Sequence, residues 1–213
     1  EHVISNGSEN RSAEEIEAIL DDLGNTYNAY TSKDTTCHYL TCAGEDLGRA
    51  IDVVSDFLLH PRFAPDQVET ERGIILREMA MRDDDPAAVI ADLLAETVFT
   101  VHPYRYLPNG TAESVSRLTR ADLVAFHAAH ARPAGTALVV AGDVDPEAVW
   151  AQIEALTREL PAEPPTPPTA PVEPPLTQVR EEIIRREQQQ AIVVYGFHAP
   201  ALTDPRRDVL TVL

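Results

Sequence analysis

The chain has 213 residues, 44% of them hydrophobic, enough for one sizeable core and the start of a further domain. Asp and Glu total 35 against 17 Lys and Arg, a net charge of -18 that repels phosphate backbones and anionic lipid surfaces, which argues against nucleic acid and membrane as partners. No apolar run approaches the roughly 18 residues of a membrane span. Cys37 and Cys42 lie five apart on one predicted strand, point to opposite faces, and so cannot bridge each other.

In chain order, Glu1-His2 precedes a capping box, Ser12-Ala13-Glu14-Glu15. Ile16, Ile19, Leu20 and Leu23 then recur at helical spacing up to Gly24, which predicts an amphipathic helix with a glycine stop. Tyr27 to Ser32 and Thr35 to Ala43 are rich in Tyr, Thr and Cys and flank Lys33-Asp34, the pattern of two strands around a tight turn. Leu47, Ile51, Val54 and Leu58 predict a second helix ended by Pro61. Pro65 opens a third, running to the Asp83-Asp84-Asp85-Pro86 break, and a fourth covers about Ala87 to Thr100. Thr119 caps a helix from Arg120 to about Ala131, Thr136 to Ala141 reads as a buried strand, and Pro146 begins a helix through Leu160. Residues 161–175 are mostly proline and predict an extended connecting loop. Gln178 to Glu187 and Gln190 to His198 read as strands that need a sheet to join, and Asp204 starts a helix that the chain cuts short.

The third helix carries two carboxylates, Glu71 and Glu78. Seven residues are about two turns and ~10 Å of rise, so the two share a face but cannot both ligate one ion from an unbroken helix. Ile74 and Ile75 between them set the carboxylates beside apolar surface, where a metal or a hydrogen-bond donor is wanted. An ordinary solvated face, with Glu78 paired to Arg82 at i, i+4, is the competing reading of the same residues. Asn28 reads as a turn residue, and Tyr30 as a half-buried strand aromatic. His127 and His130 share a helix with no acidic base beside them, and His60 and His198 sit at element ends, which favours packing roles. His102 and Tyr104 read as residues that fix a loop, and His38 as a strand residue.

Taken together, Glu1-His2, Arg11 to Glu15, Leu23-Gly24, Asn28-Ala29-Tyr30-Thr31-Ser32, Glu71 to Glu78, His102-Pro103-Tyr104 with Gly110, and Leu138 to Asp143 resemble the M16 family of zinc peptidases. This is the pitrilysin, insulinase or inverzincin family, whose motif is H-x-x-E-H with a distant glutamate. The resemblance runs in register from residue 1 to about residue 198. It implies an α+β fold with a mixed or antiparallel sheet and helices packed on one side, of the metallopeptidase type, with the N-terminal strands of that domain missing. Residues 1–203 would be the zinc-bearing domain, truncated at its start and including the proline-rich loop, and residues 204–213 the beginning of a cut helix. The resemblance further implies that Glu1 is the general base, that His2 and Glu78 are ligands of Zn2+, and that Glu71 assists catalysis. Asn28 and Ala29 would bind the backbone of a peptide added as an edge strand.

On this reading the parent protein is a zinc endopeptidase acting on unfolded peptides in an enclosed chamber. A second M16-type domain, in the same chain or in a partner subunit, would close that chamber. The motif's first histidine would fall three residues before Glu1, which leaves two zinc ligands here and predicts an inert fragment. The alternative is a non-catalytic homologue serving as a scaffold or partner subunit. Frequent Ala, Arg and Pro point to a bacterial source, and the sequence leaves the compartment, cytoplasm or periplasm, open.

Overall fold

Two hydrogen bonds start the first long helix. Ser12 Oγ accepts from the Glu15 amide at 3.2 Å, and the Glu15 carboxylate accepts from the Ser12 amide at 2.8 Å, so the capping box forms as expected. The computed structural model describes residues 1–131, 133–158, 160–161, 163, 169–187, 189–201 and 203–210. Its elements are α1 (Ala13–Asp22), β1 (Asn28–Thr31), β2 (Thr36–Tyr39), α2 (Leu47–Leu59), α3 (Pro65–Asp83), α4 (Pro86–Val98), α5 (Ala112–Arg117), α6 (Arg120–His130), α7 (Pro146–Thr157) and α8 (Arg207–Leu210). The class is α+β with an antiparallel sheet, as expected. Among the described residues, no helix is long and apolar enough to cross a membrane.

The chain divides into two units. The first comprises residues 1–76 and 112–167. In it, the apolar stripes of α1 (Ile16, Leu20) and α2 (Ala50, Val53, Phe57) meet with Leu23 in one core, and Ile16, Val53 and Phe57 lose essentially all contact with solvent. Each such side chain contributes roughly 1.5–3 kcal/mol of transfer free energy. The β1–β2 hairpin lays one face on this core, with Tyr27 edge-on to Phe57 at 5.3 Å between ring centroids. Asn28 pairs with Tyr39, and Thr31 with Thr36. The turn between the strands is closed by Ser32, whose amide donates to the Thr35 carbonyl at 2.8 Å and whose hydroxyl accepts from the amides of Asp34 and Thr35.

The start of α3 is fixed by a second, smaller cluster of Val3, Phe63, Val68 and Leu123. Phe63 takes a positive φ of 46°, and its carbonyl receives Arg120 Nε at 2.7 Å. Arg72, in α3, donates to the carbonyls of Val115 and Leu118 that end α5, a cation placed where a helix C-terminus is negative. His127 presents Nε2 to the Leu58 carbonyl at 2.7 Å and packs edge-on to Phe63, and His130 stacks on Phe126.

The second unit comprises residues 77–111 and 168–213. Phe99 collects His102, Tyr104 and His198 around its ring. Gly196 lies so close to α4 that an added Cβ would stand 2.8 Å from atoms of both Leu94 and Val98. Arg82, which the sequence paired with Glu78, instead grips Asp92 with two bonds of 2.8 and 2.6 Å.

Glu173 organises the loop after α4. Its carboxylate accepts from the amides of Thr100, Val101 and His102 and from the Thr100 hydroxyl, at 2.6–2.9 Å. Desolvation pushes this carboxyl up, but the four donors outweigh it and hold its pKa at about 2. The folded pKa therefore lies below the unfolded one, so the contact stabilises above the ordinary glutamate range and is lost as the pH falls toward 2. The protection factors of the amides of residues 100–102, corrected for intrinsic exchange, are accordingly expected to fall between about pH 4.5 and pH 2. Glu173→Gln should show faster exchange already at neutral pH, and equal protection in both proteins would refute the anchor.

Three expected strands do not form. Thr136 to Ala141, Gln178 to Glu187 and Gln190 to His198 are irregular, and Gln188 lies outside the described residues. Val139 is 84% and Val179 91% exposed. Alternating or apolar sequence marks a strand only where a neighbour offers amides and carbonyls in register. Among the described residues the one ladder is β1 with β2. Part of the proline-rich loop, residues 162 and 164–168, and the last three residues of the expected terminal helix also lie outside the described residues.

Candidate active site

Residues 1–6 form a tight turn, with the Ile4 amide on the Glu1 carbonyl and the Asn6 amide on the Val3 carbonyl, both at 3.2 Å. Two adjacent side chains anchor it. Val3 enters the Phe63–Val68 cluster and Ile4 packs on the α1–α2 core, which leaves Glu1, His2 and Asn6 to face other elements. Gly7, at φ 108°, turns the chain in a conformation that L side chains rarely adopt. The strand-like exchange that follows, Glu9 amide to His60 carbonyl and Arg62 amide to Gly7 carbonyl, pins it against the end of α2.

The turn meets α3 and β1 through three bonds. His2 Nδ1 lies 3.2 Å from Glu71 Oε2, and Asn6 Nδ2 donates to Glu71 Oε1 at 2.9 Å. The Thr31 hydroxyl donates to Glu1 Oε2 at 2.5 Å. His2 and Glu71 are thus brought into contact, and the Glu1 carboxylate is held by Thr31 of β1. Asn28 and Ala29 begin the same strand, and Asn28 Oδ1 accepts from the Ala29 amide at 2.8 Å. Glu78 lies on α3 beyond Glu71 with its side chain exposed.

Beneath the hairpin, the Tyr27 hydroxyl is 2.8 Å from His38 Nδ1, and the two rings stack. Burial pushes the Tyr27 phenol up to about 12 and the His38 imidazole down, so both sit neutral near physiological pH.

A carboxylate that accepts at Nδ1 requires the proton there, which leaves Nε2 of a neutral His2 with its lone pair. That is the state in which an imidazole ligates zinc, so the chemistry of the donors fits the metal. Their number does not complete a set. Among the described residues, no group of three or more His, Cys, Asp or Glu side chains is placed to hold a metal ion.

A network outside the sequence-derived set holds the turn. Asp56 of α2 is 6% exposed and accepts from Ser8 Oγ, Asn10 Nδ2 and Arg11 Nη1, each at 2.6 Å, while Arg11 Nη2 reaches Asp52. Burial pushes the Asp56 carboxyl up, but the three donors and the guanidinium charge outweigh it and hold the carboxyl low. One signal was available, since Asp56 falls at i+3 from Val53 and next to Phe57, on the buried stripe, where a carboxylate needs partners. Asn6 and Thr31 carried no such signal as partners of Glu71 and Glu1, because each reads locally as a turn or strand residue.

Residues 1–107 match the family model described as insulinase, peptidase family M16, and residues 117–213 match that of the peptidase M16 inactive domain. An uncharacterized zinc protease of Mycobacterium tuberculosis is 40% identical over 153 residues, covering 72% of this chain and 35% of that protein. One of Mycobacterium leprae is 34% identical over 220 residues, covering all of this chain and 48% of that protein. The chain thus spans less than half the length of these relatives. The crystal structure of a protease from Helicobacter pylori superposes with a TM-score of 0.71 at 22% identity, over 81% of this chain and 42% of that one, a likeness of fold. The chain belongs to the insulinase family of peptidases, family M16.

Proposed function

We propose that the full-length protein is a zinc-dependent endopeptidase and that this chain carries part of its catalytic site. The observation that supports this most is the contact of His2 with Glu71, reached from a turn and from a helix far apart in sequence, next to a Glu1 carboxylate held by Thr31. Glu1 accepts the proton of the attacking water, its carboxylate oriented by the Thr31 hydroxyl. His2 and Glu78 are the metal ligands from this chain, and Glu71 fixes the His2 ring. Zinc, when bound, supplies a Lewis acid that polarises the scissile carbonyl and lowers the pKa of water.

The peptide substrate lies along β1 as an added strand, near Asn28 and Ala29. Among the described residues β1 pairs on one edge only, with β2, so its other edge has main-chain groups to offer. A second M16-type domain, in cis or in a partner subunit, completes the chamber. Two ligands are fewer than the three protein ligands of a catalytic zinc site, so this chain by itself is expected to bind zinc weakly and to be inert. A scaffold role is the second reading, favoured by the match of residues 117–213 to a domain described as inactive.

Cleavage of an internally quenched peptide by the purified full-length protein separates the two. The peptidase reading expects one equivalent of zinc, loss of cleavage on chelation, and recovery when zinc is restored. Cleavage that persists after the metal is removed, or a metal-loaded protein with no cleavage at all, would overturn it.

A further inference from the structure

The strand proposed to take the peptide also carries the donor to the proposed base. In β1 successive side chains point to opposite faces, so Ala29 and Thr31 share one face while main-chain groups line the edge. The Thr31 hydroxyl donates to Glu1 Oε2 at 2.5 Å, a contact across 30 residues of sequence. It is short, as a hydroxyl bond to a carboxylate is expected to be.

Two features fix that hydroxyl. Threonine is branched at Cβ, which restricts its rotamers on a strand and gives its oxygen a set direction. The strand is itself held by the hairpin: Thr31 stands opposite Thr36 in register, and His38, opposite Ala29, packs edge-on to the buried Phe57 at 6.4 Å between ring centroids. The Thr31 and Thr36 hydroxyl oxygens are 3.4 Å apart, and the proton count orders them. An ionised carboxylate only accepts, so the single Thr31 proton goes to Glu1 and Thr36 is the donor toward Thr31. Glutamate, by contrast, ends in a broad and soft torsion, and Glu1 is exposed. A fixed donor at one oxygen selects an orientation that packing does not.

We infer that Thr31 is a positioning residue for the general base: its hydroxyl aims the Glu1 carboxylate, so one strand both receives the peptide and orients the group that activates water. The inference rests on the proposed reading of Glu1 as the base.

Steady-state cleavage of a quenched peptide by the full-length protein, with zinc content measured in each variant, tests it. Thr31→Val keeps the branch at Cβ and the strand preference and removes only the hydroxyl. Its kcat is expected to fall about tenfold with KM changed less than about twofold, because the peptide bonds to main-chain groups that the substitution leaves in place. Thr31→Ser returns the hydroxyl and should bring kcat back to within about threefold of the unsubstituted protein, since the same bond to a charged acceptor can form. In a Glu1→Gln background Thr31→Val should lower the residual kcat by less than about twofold, because the group it aims no longer takes a proton.

Unchanged kcat in a zinc-loaded Thr31→Val protein, a Thr31→Ser protein as slow as Thr31→Val, or a loss that appears in KM instead of kcat overturns the positioning role. Near-normal kcat in Glu1→Gln sinks the base reading itself. A slow Glu1→Gln beside a fast Thr31→Val sinks the positioning role alone, so the two failures are told apart.

Discussion

Glu1→Gln in the full-length protein is expected to lower kcat for peptide cleavage by roughly 10²–10⁴-fold with little change in KM, the range for loss of a positioned general base. The carboxamide keeps the shape of glutamate and can still accept the Thr31 hydroxyl bond that now measures 2.5 Å, so the turn should hold. What it cannot do is take a proton from water. Steady-state kinetics on a quenched peptide, with zinc content measured in parallel, give the answer. Near-normal kcat in a zinc-loaded Glu1→Gln protein would remove Glu1 from the role proposed for it and leave the base to be sought elsewhere.

Asp56→Ala is expected to cost about 3 kcal/mol of stability, because removing one partner of a buried ion pair leaves the other without compensation. Three donors lose their acceptor at once, among them Ser8, which is 2% exposed, and Arg11, which is left with Asp52 at the surface. Urea unfolding checks this as a lower midpoint at unchanged slope. Since the folded Asp56 carboxyl is held below its ordinary value, the same contribution should be present above the usual aspartate range and fade as the pH falls through it. A substitution effect below about 1 kcal/mol would mean that the network is a surface arrangement of the kind that contributes little. The prediction also bears on function, because Ser8 and Arg11 tie down the segment that follows Glu1, His2 and Asn6.

Much of the site was legible because its parts are marked locally. The Ser12–Glu15 box and the Asn28 to Ser32 strand each carry their own signal in adjacent residues, the helical period placed Glu71 and Glu78 on α3, and Glu1-His2 became readable only through the family resemblance. The partners of those residues were not legible. Asn6 and Thr31 lie 65 and 30 residues from the carboxylates they hold, and no spacing rule connects such positions. Asp56 was visible as a carboxylate on an apolar stripe, yet nothing in its neighbourhood named Ser8, Asn10 and Arg11 as its donors. The Arg82 reading failed for a related reason: a partner at i+4 is always near, but Asp92 on the next helix offers two oxygens to the guanidinium fork.

The sequence by itself determined the longer helices, the hairpin and the identity of the chemical groups, since capping, turn chemistry and periodicity act over a few residues and need no distant partner. Only the tertiary structure decided which strands exist and which groups meet. A segment such as Val193 to Phe197 becomes a strand only beside another, and a carboxylate such as Glu71 meets an imidazole only when a turn some seventy residues away is folded against it. Both depend on long-range contacts, whose free energy is set by packing of the whole unit.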